Sequence, residues 1–135
     1  MTNGNISQEA APGQTSDNLI VPTLGLPKTM EGSFEVSFPE VVKFVDARYR
    51  TLANSQNRAI AGLSMGGFHS LYISINNPKT FGYVGLFSAA IGKEQRSDGS
   101  NEYIYDNFDK KLADLFAAKP KLFWVGIGKS DFLYK

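Results

Sequence analysis

The chain has 135 residues, 42% hydrophobic and 20% charged, the composition of an ordinary globular domain with enough length for one core. Its 14 Lys and Arg nearly balance 13 Asp and Glu, with no basic run to grip a phosphate backbone, so nucleic acid is not an expected partner. Cysteine is absent and His69 is the one histidine, which excludes disulfides, thiolate chemistry and a histidine-rich metal site.

No apolar run approaches the ~18 residues of a membrane span, and Met1-Thr2-Asn3-Gly4-Asn5 does not open a signal peptide. Residues 1–18 are polar and loop-like, and Pro22, Gly25, Pro27 and Gly32 break up the mixed stretch 19–36. A first helix is expected from Ser37: Ser37 and Glu40 have capping-box spacing, and Pro39 falls in a first turn. Phe38, Val41, Val42, Val45, Tyr49 and Leu52 then recur at helical spacing and predict one apolar face. After a turn at 54–57, residues 58–63 form a short apolar strand.

A second helix is expected over 66–76, with Phe68, Leu71, Tyr72 and Ile75 on one face, ended by Asn77-Pro78. Residues 81–87 predict another strand, 88–101 an irregular connection, and 109–118 a third helix stopped by Pro120. Residues 121–127 predict an apolar strand that turns away at 128–131. Strand and helix in alternation predict a mostly parallel sheet flanked by helices, with both sheet faces buried. No repeat and no second domain is visible, so residues 1–135 are read as one domain.

Gly62-Leu63-Ser64-Met65-Gly66 fits G-x-S-x-G and Gly67 extends it, between the strand and the helix expected over 58–76. The chemistry asks for this spacing because the serine must occupy a very tight turn, and glycines two before and two after it, Gly62 and Gly66, leave room for strand and helix to approach. Such a turn would lift the hydroxyl above the strand ends, and the Met65 N–H at the start of the helix is the expected oxyanion donor. The plainer reading of the segment is a strand–turn–helix with a helix-capping serine.

The segment Ala61-Gly62-Leu63-Ser64-Met65-Gly66-Gly67-Phe68 resembles the nucleophile region of the putative-esterase family, which includes feruloyl and acetyl-xylan esterases. The likeness extends to Thr2-Asn3-Gly4-Asn5, to Phe87-Ser88-Ala89-Ala90, and to the stretch from Leu122 to Leu133 that resembles the strand and loop carrying the acid. It implies a partial α/β-hydrolase fold, a Ser–Asp–His triad and no cofactor or metal. Asp131, 67 residues after Ser64, takes the matching acid position; by position alone it would be a turn aspartate bonding its own backbone.

The family's histidine would follow a further strand, and a second oxyanion donor would precede the elbow; neither matches a segment of this sequence. His69, five residues beyond Ser64 in the helix, is expected to point away from the hydroxyl and to bond locally. The resemblance thus implies a central piece of a domain of about 200–250 residues. It implies a serine esterase acting on feruloyl or acetyl groups of xylan, with an acylated saccharide or other small ester as partner and a secreted or periplasmic location. These 135 residues alone would then show little activity. Two alternatives are a thioesterase similar to S-formylglutathione hydrolase and a hydrolase-like module that has lost catalysis.

Overall fold

The computed structural model of the chain describes residues 32–89, 91 and 106–134. In chain order these form helix α1 (Ser33–Arg48), a 3-10 turn (Ser55–Asn57), strand β1 (Ala59–Leu63), helix α2 (Met65–Asn76), strand β2 (Tyr83–Phe87), helix α3 (Phe108–Ala117) and strand β3 (Leu122–Gly126). The strands make one parallel sheet in the order β1-β2-β3, with Ile60 beside Val84 and Val84 beside Phe123. The alternation of strand and helix thus gives the parallel α/β layer that the sequence predicts. The expected N-terminal loop and the Thr2–Asn5 likeness lie outside the described residues.

Helix α2 is the centre of the core. It packs on β1 and β2, with α1 and α3 against it. Every residue from Gly67 to Ile75 is buried, so the expected single apolar face is replaced by burial all round. Leu86, Val84 and Ile60 project from the sheet toward it, and Leu115 of α3 closes the cluster. Phe34, Phe38 and Val42 of α1 pack on this cluster from the far side.

Three expectations are corrected here. Helix α1 starts at Ser33, one turn before Ser37, with Gly32 as its N-cap at φ 91°. Ser37 is therefore no cap: its hydroxyl donates to the Phe34 carbonyl, while Glu40 pairs with Lys43. The apolar face predicted for α1 is largely unpacked, with Val41 43%, Val45 37% and Tyr49 65% exposed; Leu52, beyond the helix, is exposed too. Phe38 and Val42, on the inner side of the helix, do pack against the core.

Nor are both sheet faces buried. The face away from α2 carries Leu63, Phe87 and Trp124, which are 66%, 43% and 44% exposed. On this face the rings of Phe87 and Trp124 meet at a tilt of 48°, with centroids 4.8 Å apart. Arg58 anchors the base of β1: its guanidinium donates to the Thr80 carbonyl and pairs with Asp46 of α1 at 2.7 Å.

Candidate active site

The C-terminal ends of three adjacent parallel strands lead to Ser64, Ser88 and the Asp131 loop, the edge where ligands gather in open α/β sheets. Ser64 is the single residue between β1 and α2, so the chain must reverse within it. It does so at φ 54° and ψ −117°, outside the regions an L-residue prefers. Such a conformation costs about 1–3 kcal/mol and persists only where the surroundings impose it. Here the Ser64 N–H donates to the Phe87 carbonyl at 2.9 Å, and the Ser64 carbonyl accepts the Phe68 N–H at 3.1 Å. Its side chain makes no capping bond to the helix and the residue is exposed, so the capping alternative is not what the geometry contains.

Gly62 and Gly67 make the turn possible. A Cβ on Gly62 would stand 2.1 Å from the Gly66 carbonyl carbon and oxygen, and one on Gly67 would stand 2.6 Å from the Ala89 Cβ. Gly66 is different, because a Cβ there would meet nothing within 4 Å. The steric need expected of Gly62 and Gly66 falls instead on Gly62 and Gly67. Met65 opens α2, so its N–H sits at the positive end of the helix dipole, one residue from the Ser64 hydroxyl.

Asp131 stands in the turn after β3. Its N–H donates to the Gly128 carbonyl at 3.0 Å, and its Oδ1 accepts the Leu133 N–H at 2.9 Å. It is thus a turn aspartate bonding its own backbone. The Ser88 hydroxyl nearby, and then the Leu133 N–H, hold the acid below the ordinary carboxylate range. The strands that lead to Ser64 and to Asp131 flank β2 on either side, two strand spacings or about 10 Å apart.

His69 is not at this edge, and it is not locally bonded. It is 2% exposed, and its Nδ1 lies 2.5 Å from Oε1 of Glu35, which is itself 2% exposed in the first turn of α1. Phe34 and Phe68 present their rings edge-on to the imidazole, with centroids at 5.0 and 5.6 Å. Among the described residues, neither His69 Nε2 nor Glu35 Oε2 meets a hydrogen-bond partner. The imidazole therefore ties α1 to α2 beneath the elbow. Ser88 and Glu35 were both missed by the sequence reading; a serine at positive φ and a partner 34 residues away leave no local pattern. Among the described residues, no group of three or more His, Cys, Asp or Glu could hold a metal, and no helix is long and apolar enough to cross a membrane.

A model of the family described as Putative esterase matches residues 38–129, taking in most of α1, the elbow and all three strands. The chain belongs to this family. A curated esterase relative is an endo-1,4-beta-xylanase/feruloyl esterase of Xylanibacter ruminicola, 35% identical over 79 residues. That stretch is 57% of this chain but 11% of the relative, so the chain spans a small part of that protein's length.

Proposed function

We propose that this esterase-family chain is the nucleophile-bearing part of a serine carboxylesterase of the α/β-hydrolase fold. The observation that carries the reading is Ser64, forced into a rare backbone conformation at a strand–helix junction with its side chain exposed. In this reading the Ser64 hydroxyl attacks the ester carbonyl and passes its proton to an imidazole. The Met65 N–H stabilises the oxyanion, and Asp131 accepts the other imidazole N–H, fixing its tautomer and stabilising the imidazolium. Collapse of the tetrahedral adduct expels the alcohol, which takes the proton from the imidazolium. Water then attacks the acyl-serine and releases the acid.

The imidazole comes from outside these 135 residues, since His69 is buried against Glu35. The acyl group is proposed to be feruloyl or acetyl on xylan. The feruloyl esterase in the name of the Xylanibacter relative supports the feruloyl half of that choice.

Labelling of the full-length protein with a fluorophosphonate probe tests the nucleophile. A single adduct at Ser64, absent from Ser64→Ala, is expected; an adduct that survives the substitution would overturn the assignment. Hydrolysis of methyl ferulate compared with acetylated xylan then decides the acyl group.

A further inference from the structure

The strands of the sheet are parallel throughout, and an all-parallel sheet occurs almost only where both faces are covered. Among the described residues all three helices gather on one face: α2 and α3 belong to the β1–α2–β2 and β2–α3–β3 crossovers, and α1 packs on α2 from the same side. The outer face carries the apolar side chains that its covering must meet.

Register puts Leu63, Phe87 and Gly126 in one row of this face at the rim, with Ala61, Gly85 and Trp124 in the row beneath. The two glycines make room for rings. A Cβ on Gly85 would stand 3.2 Å from the Phe87 ring, and one on Gly126 would collide with the Trp124 indole. Phe87 thus leans down over Gly85, Trp124 leans up over Gly126, and the two rings meet between the rows. A groove of about 220 Å³ opens beside them, lined in part by Ala61 and Gly85 and by no charged side chain.

The imidazole of the proposed triad comes from outside the 135 residues, and the geometry narrows where it enters. β1 leads to Ser64 and β3 to the Asp131 turn, so an imidazole that serves both sits over the end of β2 at Phe87. On the inner side that place is closed by α2, which starts at the residue after Ser64 and is buried from Gly67 to Ile75. On the outer side it is bordered by exposed Leu63 and Phe87, the last residues of β1 and β2. A segment arriving there finds an apolar bed continuous with the rim. Packing of that kind is what holds a catalytic group within a fraction of an ångström.

We propose that the outer face around Leu63, Phe87 and Trp124 seats the polypeptide that carries the general-base imidazole, with apolar side chains of that segment in the groove and its histidine over the end of β2. This rests on the serine-esterase reading above. Phe87 and Trp124 touch no reacting atom; they act through the segment they hold.

The test places a photo-crosslinker on this face of the full-length protein, as Trp124→p-benzoylphenylalanine, an aromatic group at an exposed position. Alanine substitution of the histidines outside the 135 residues first marks the base, as the one whose loss lowers kcat on methyl ferulate by on the order of 10⁶-fold. Irradiation should then join position 124 to the tryptic peptide that holds this histidine or to the peptide next to it. A crosslink to residues 1–31, to a second copy or to any other part of the protein overturns the proposal, and so does the absence of a crosslink. In Trp124→Asp, hydrogen exchange of the histidine-bearing peptide should quicken by about tenfold or more while that of α2 holds. Unchanged exchange in that peptide overturns the proposal as well. An active Ser64→Ala enzyme, or a protein with no essential histidine, would instead sink the serine-esterase reading, wherever position 124 crosslinks.

Discussion

The rim at the strand ends and the helix layer beneath it treat polar groups in opposite ways. At the rim, Ser64 is exposed, Ser88 and Asp131 are half-buried, and main-chain hydrogen bonds hold them while their side chains face the edge. One turn below, Glu35 and His69 are as ionisable as anything at the rim, yet both are 2% exposed and engage one another. The lesson is that residue type does not decide reactivity here. A group supported by backbone keeps its side chain available for chemistry, whereas a group that ties two helices together is used up by packing.

That comparison predicts that rim substitutions change turnover and spare stability, while layer substitutions do the reverse. The largest expected effect is at Asp131. Asp131→Asn in the full-length protein should fold normally and lose about 10⁴-fold in kcat, because the imidazole takes the wrong tautomer. Stopped assays on methyl ferulate alongside urea unfolding measure both halves; a loss below tenfold would reduce Asp131 to a turn residue. The sign of its pH effect follows from its lowered pKa. Its contribution to stability is fully present above the ordinary value of 3.8 and is lost as pH falls through the depressed folded value.

His69→Ala comes next. It leaves the Glu35 carboxyl buried and alone, and breaking a buried pair from one side costs about 3–5 kcal/mol. The paired replacement Glu35→Leu with His69→Leu should recover most of that loss, since apolar residues of similar volume often serve as well as a buried polar pair. Urea midpoints of the single and paired variants check this. Activity of the folded paired variant should match the parent, and a large fall in its kcat would break the division between rim and layer. The smallest effect is at Val41, 43% exposed on α1, where Val41→Ala should change stability by less than about 0.5 kcal/mol. A larger loss would mean that the outer side of α1 is packed after all.

The order of elements and the elbow were legible because each has a local cause. Gly62-Leu63-Ser64-Met65-Gly66 carries its steric reason in neighbouring residues, and Asn77-Pro78 and Pro120 stop helices wherever they occur. The start of α1 was not legible. Ser37 and Glu40 satisfy a capping rule, but a pairing 34 residues away draws Glu35 into the core and the helix gains a turn before them. Sequence period also overstated burial: it marks Val41, Val45 and Tyr49 as one face but does not say whether another element covers it. The role of Gly66 was overstated for a related reason, since a motif records residue types and not which of them stands against a neighbour.

The enclosure of His69 has a practical consequence for finding the general base. Acylating reagents such as diethylpyrocarbonate modify imidazole nitrogens that solvent can reach, and an imidazole sealed between Phe34, Phe68 and Glu35 offers them none in the folded state. In the native full-length protein this histidine is therefore a silent position in peptide maps of the carbethoxylated sample. Any inactivation that hydroxylamine reverses reports on a different imidazole, and the modified peptide names it.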